Sequence, residues 1–172
     1  MAEFCGIAIA DDGILRRARV DIDRYDRAIV ALLQREGRIT NSALAEQVNL
    51  SESACLRRIR ALEESGLIEG YAAVISQQKA GYPVSVFVSI TLDRQEQADL
   101  RAFEEAAREI PEVMECYLMT GDHDYLLRVV VADTGDFERV HSKHLTRLPG
   151  VARVHSSFAL RTVQKARELP VR

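Results

Sequence analysis

The sequence predicts an α+β chain of two modules, an N-terminal (winged) helix-turn-helix unit joined to a ferredoxin-like βαββαβ domain. Three observations predict it. Residues 41–68 read as two short helices around a tight turn, each with apolar residues at helical spacing. After Pro83 the apolar period changes from about 3.6 residues to about 2. From Val84 onward the periodic segments run strand, helix, strand, strand, helix, strand, the order of a split βαβ arrangement.

Residues 1–20 have no clear period and are expected to form a mobile arm, with a basic cluster at Arg16, Arg17 and Arg19. A first helix should begin near Asp21 or Asp23, since carboxylates suit a helix N-terminus. Tyr25, Ile29, Leu32 and Leu33 carry its apolar stripe, and Gly37 should stop it. Thr40 or Asn41 can cap the second helix, on which Leu44 and Val48 share a face. Asn49 tolerates the left-handed backbone of a sharp turn, Leu50 can plug the angle between helices, and Ser51 caps the third helix.

On a wheel of the third helix, Cys55, Leu56, Ile59 and Leu62 fall in one sector and should pack inward. Ser53, Ala54, Arg57 and Arg60 fall opposite, with Arg58 at the flank. Gly66 should end the helix as a left-handed cap. Leu67 to Ile75 is expected as a short strand pair or wing, and residues 70–83 as wing and linker.

In the second module Val84, Val86, Val88, Ile90 and Leu92 alternate as a strand. Leu100, Phe103, Ala107 and Ile110 mark a helix closed by Pro111. Val113–Met119 and Tyr125–Val131 read as strands. Phe137, Val140, His144 and Leu148 form a second helical stripe, and Val151–Leu160 a last strand. The domains expected are therefore 21–69, 84–163 and a C-terminal tail 164–172. An antiparallel sheet with both helices on one face leaves the other bare, and a second protomer is its simplest cover.

Bulk properties narrow the classes. No apolar run approaches the roughly 20 residues of a membrane helix. FCGIAIA is followed at once by acidic residues and preceded by no cationic region, so it does not read as a signal peptide. Cys5, Cys55 and Cys116 are scattered and odd in number, which points to reduced thiols in a cytoplasmic protein. His141 and His144 lie three apart on a helix, but His144 belongs to the apolar stripe, and no metal or cofactor is expected. No phosphate loop, HExxH or GxSxG motif is present, and no enzyme activity is expected.

A helix with an apolar inner side and small and long polar residues outside suits the DNA major groove. Arginine can fork onto O6 and N7 of guanine or pair with phosphate. Double-stranded DNA is thus the expected partner, with Ser51, Ser53, Arg57, Arg58 and Arg60 as candidate contacts. The net charge of −3 is unhelpful to DNA binding, so attraction must come from a local patch, in several copies. A metabolite-binding subunit or small enzyme with a docking helix bundle is the alternative; the outward arginines speak against it.

Three stretches, Asp21–Thr40 (DIDRYDRAIVALLQREGRIT), Leu50–Tyr71 (LSESACLRRIRALEESGLIEGY) and Thr120–Val129 (TGDHDYLLRV), resemble the Lrp/AsnC (feast/famine) family of transcription regulators. The resemblance spans about Val20 to Val163. It implies a second domain that forms a dimer, assembles further, often to octamers, and binds a small effector, commonly an amino acid, between dimers. It places the effector site at the Gly-Asp-x-Asp loop, here Gly121, Asp122, His123, Asp124 and Tyr125, with Met119 beside it and Ser156 where the family often has Thr. His123 stands where relatives frequently carry an aromatic residue, a change that bears on ligand choice. The residues themselves allow two readings of this loop. Inward N–H groups beside a glycine and two aspartates suit the carboxylate and ammonium of an amino acid, and the same pattern suits an ordinary hairpin turn.

Overall fold

A computed structural model describes residues 20–171, so the expected arm with Arg16, Arg17 and Arg19, and Cys5, lie outside the described residues. The chain divides into two compact units. One comprises residues up to Ala72 together with the C-terminal segment from Ala166, the other Ala73–Lys165.

The first unit holds three helices, α1 (Arg24–Arg35), α2 (Asn41–Gln47) and α3 (Glu52–Glu64). Asp23 caps α1: its carboxylate accepts from the N–H groups of Tyr25 and Asp26, and Asp26 reciprocates to the Asp23 N–H. Thr40 caps α2 and Ser51 caps α3 through their hydroxyls. Asn49 has φ 55° between them, the left-handed turn its side chain tolerates. Gly66, at φ 74°, follows α3, and the Ile68 N–H returns to the Leu62 carbonyl. Ile22, Ile29, Leu44, Val48, Cys55 and Leu62 form the core. Leu67–Ile75 differs from the expected strand pair: it contains no strand. A strand needs a neighbour to accept and donate its backbone bonds, and among the described residues this segment has none in the ladders.

The second unit runs β1 (Val84–Leu92), α4 (Gln97–Arg108), β2 (Val113–Leu118), β3 (Tyr125–Val131), α5 (Thr134–Lys143), a 3₁₀ turn at Leu145–Arg147 and β4 (Val151–Phe158). The four strands are antiparallel in the order β2-β3-β1-β4, the ferredoxin-like arrangement. Val86, Val88, Ile90, Leu127, Val129 and Val131 sit on one face with Phe103, Ala107, Phe137 and Val140 from the helices. Fully burying a side chain of this size contributes about 1.5–3 kcal/mol, so alternation along β1 and β3 dictates which face the helices take. The other face presents Phe87, Leu126, Arg128 and Tyr117, with Phe87 and Tyr117 exposed. Arg128 Nε donates to Glu115 across this face at 2.7 Å. Among the described residues no helix is long and apolar enough to cross a membrane, and Cys55 and Cys116 are free thiols.

Candidate nucleic-acid interface and effector loop

The capping of α3 by Ser51 sets which residues of the helix face outward. Ser53, Arg57 and Arg60 are exposed and line one shallow groove with Leu56, Ala61 and Glu64. Ser51 joins them through a 3.3 Å contact between its hydroxyl and that of Ser53. Among the described residues neither Arg57 nor Arg60 forms an ion pair, so both guanidinium groups keep all their donors for a ligand.

Two sequence expectations on this helix change. Leu56 is 39% exposed and belongs to the outer groove, not to the core. It lies about 100° round the helix from Cys55, at the edge of the apolar sector. Arg58 is turned inward and occupied. Its guanidinium pairs with Asp23 and Asp26 at 2.9 Å each and lies 5.4 Å from the Tyr25 ring centre. Hydrogen bonding to Asp26 raises its pKa further, with burial opposing. It fastens the start of α1 to the flank of α3, so unlike Arg57 and Arg60 it already has partners within the unit. Asp23, Asp26 and Tyr25 are the residues sequence reasoning missed here. The Asp-x-x-Asp pair of the α1 cap was the available signal, because two carboxylates at one helix start invite a cation.

The loop from Met119 to Asp124 joins β2 to β3. Its ends are clasped by the Met119 N–H donating to the Asp124 carbonyl at 2.8 Å. Gly121, at φ 116°, takes a backbone conformation that side chains disfavour. Asp122 and His123 are exposed at the tip, and Met119 is 43% exposed.

Asp124 and Tyr125 stand differently from the expectation that both face an effector. Asp124 is buried, and its N–H donates to the Ile90 carbonyl at 2.9 Å. Its carboxylate accepts from the Leu92 N–H at 2.7 Å and from Gln95 Nε2 at 2.5 Å. It staples the loop to the end of β1. Gln95 was missed, because a side-chain bond across this sequence separation leaves no local signature. Tyr125 is buried, its ring stacked on Phe103 at 4.4 Å between centres, its hydroxyl donating to Glu104 at 2.9 Å. Burial, then Glu104, push the phenol far above its usual range. It is a core residue with a satisfied hydroxyl, not a wall of an open site.

Ser156 pairs with Val88, whereas Tyr125 pairs with Ile90. It therefore sits two residues along the ladder from the loop and on the far edge strand, half-buried on the helix-covered face. The chain brings Met119, Gly121, Asp122 and His123 together and does not bring Ser156 to them. His141 and His144 gather no third ligand: among the described residues no cluster of three metal-ligating side chains occurs.

Comparison with known proteins agrees with this two-part organisation. Residues 22–69 match the winged helix-turn-helix DNA-binding family, and residues 85–169 the Lrp/AsnC ligand binding domain. The chain is 43% identical to the Bkd operon transcriptional regulator of Pseudomonas aeruginosa over 83% of its length and 94% of that protein's. It is 36% identical to the leucine-responsive regulatory protein of Escherichia coli over 91% of its length and 96% of that protein's. A transcriptional regulator from Neisseria meningitidis, solved as an L-methionine complex, superposes with a TM-score of 0.83 at 34% identity, covering 87% of this chain and 97% of that one. The capped helices with their left-handed turn, the βαββαβ sheet and these full-length likenesses lead to one conclusion: the chain belongs to the Lrp/AsnC family of transcriptional regulators.

Proposed function

We propose that the protein binds specific double-stranded operator DNA through α3 and that a small amino acid, bound at the Gly121–Asp124 loop, shifts its assembly and DNA affinity. The observation that carries the reading is the outer face of α3, where Arg57 and Arg60 stand exposed beside Ser53, with no ion-pair partner among the described residues. Arg57 and Arg60 contact base edges or phosphates. Asp122, the exposed carboxylate of the loop, pairs with the effector's ammonium, and loop N–H groups take its carboxylate. Asp124 holds the loop in shape. The effector class is supported by two relatives, one solved with L-methionine and one named for its response to leucine.

The working unit is a homodimer closed over the bare sheet face with Phe87, Tyr117 and Leu126, and dimers assemble further, to octamers or a similar ring. Two exposed aromatic residues on one face support this, as does the net charge of −3, which makes several DNA-binding units more effective than one. An effector at a contact between dimers favours whichever assembly completes its pocket. The coupling to DNA is then about 1–3 kcal/mol. The protein acts in the cytoplasm, without a cofactor and without catalysing a reaction.

Calorimetry against the common amino acids, with operator binding measured with and without the one that binds, tests this. Binding that disappears in Asp122→Ala while basal DNA affinity stays is the expected result. No binding by any amino acid, or equal binding by wild type and Asp122→Ala, would place the site elsewhere. Light scattering that finds a monomer at micromolar concentration would overturn the dimer.

A further inference from the structure

The last residues of the chain belong to the DNA-binding unit, not to the domain that precedes them. Gln34, near the end of α1, grips the backbone of Leu169 from both sides. Its Oε1 accepts from the Leu169 N–H at 2.6 Å, and its Nε2 donates to the Leu169 carbonyl at 3.2 Å. This is a side-chain amide imitating one rung of a β-ladder. Arg35, the next residue, pairs with Glu168 at 3.0 Å. Val171 is half-buried against the core of the three helices. The seat is a groove on the side of α1, lined by Val30, Leu33, Leu67 and Ile68. It shares no residue with the groove of Arg57 and Arg60, so an occupied seat leaves that face uncovered.

The sheet register gives this docking a mechanical meaning. The chain enters the effector domain through residues 73–83 into Val84, the start of β1. It leaves through Phe158, the end of β4, which pairs with Val86 of β1, and the Ala159 N–H donates to the Ser85 carbonyl. Entry and exit are therefore side by side at one end of two adjacent strands. With residues 166–171 seated on α1, two chain segments, 73–83 and 159–165, connect the units instead of one.

We propose that residues 166–171 are a strap, buckled by Gln34, that makes the connection between the two units double-stranded and so limits how freely the DNA-binding unit turns. Each fastening is individually weak: an exposed ion pair, two hydrogen bonds reachable by water, and one half-buried valine. The strap is thus built to open and close.

Limited proteolysis of the full chain tests it. Trypsin needs the residues after the scissile bond extended and free, so a seated Glu168–Val171 protects the bond after Arg167 in proportion to how rarely the strap opens. Gln34→Ala leaves the cleavage sequence unchanged. In this variant, cleavage after Arg167, followed by mass spectrometry of the released peptide, should accelerate about fivefold or more, while cleavage after Arg161 stays at the wild-type rate. Leu169→Pro removes the donated N–H from the strap side without touching α1, and should expose the Arg167 bond equally. The Arg167 bond cut at the same rate in wild type and both variants would overturn the strap. Protection lost in Leu169→Pro but kept in Gln34→Ala would overturn the buckle.

Discussion

The outer face of α3 and the loop at Gly121–Asp124 both carry charged side chains at positions fixed by local backbone geometry, yet they use them differently. On α3, Arg57 and Arg60 have no bonding partner among the described residues, and the helix beneath them is held by other residues, Ser51 at its start, Arg58 on its flank and Cys55 and Leu62 below. At the loop's end, two successive side chains are spent on the fold: Asp124 on Leu92 and Gln95, Tyr125 on Phe103 and Glu104. Met119, Thr120, Asp122 and His123 are exposed. A charged residue in a family motif is thus not evidence of ligand contact until its existing partners are counted.

The sharpest way to break the comparison is to truncate both loop aspartates. Asp124→Ala strands the Leu92 N–H and Gln95, and loss of a hydrogen bond to a charged acceptor in a buried site should cost about 1.5–3 kcal/mol of effector-domain stability. Asp122 has no bonding partner among the described residues, so Asp122→Ala should stay within about 0.5 kcal/mol. Urea unfolding of the two variants decides. Similar losses in both would mean that the loop is one structural unit with no side chain to spare.

The arginines of α3 offer the next contrast. Arg57→Ala should weaken operator binding by about 1–3 kcal/mol if it forks onto a base, with the melting temperature of the first unit unchanged. Arg58→Ala should show the reverse order of effects. It loses two partly exposed ion pairs, so about 1 kcal/mol of stability goes first, and any loss of DNA affinity follows from a loosened α1. Gel-shift titration beside thermal melting separates the two. An Arg58 variant that melts like wild type but fails on DNA would return Arg58 to the interface.

These contrasts also mark what was legible in the sequence. Apart from the expected strand pair at Leu67–Ile75, the strands and helices were, because alternation along Val84–Leu92 and helical spacing at Phe137 and Val140 are set by which side faces the core. Asn49 and Gly66 were legible because few residues adopt their backbone. The exposure of Ser53, Arg57 and Arg60 on α3 was legible from the helix's own period, whereas that of Leu56 was not. The ion pairs of Arg58 were not legible, because its partners stand outside its own helix, at Asp23 and Asp26, and its wheel position lies at the flank where either side is open. The bonds of Asp124 to Leu92 and Gln95 were not legible, because they cross from one strand to another connection. The burial of Tyr125 was legible: it shares the period of Leu127, Val129 and Val131. The tail could not, since a Gln side chain gripping a distant backbone has no periodicity.

The smallest expected effect concerns acid. Asp23 has its pKa lowered, first by the Asp26 N–H that donates to it, with burial opposing, then by the Tyr25 N–H and by Arg58. A carboxylate whose folded value is depressed adds stability above its unfolded value, about 3.9, and that contribution fades as pH falls through the folded value. The start of α1 should therefore loosen below about pH 4, on the acid side only. Asp23→Asn keeps the capping oxygen but has no proton to take up. Amide exchange at Tyr25 and Asp26, whose N–H groups bond the cap, should rise on acidification in wild type and change less in Asp23→Asn after correction for intrinsic rates. The same acid response in both would show that it does not come from Asp23.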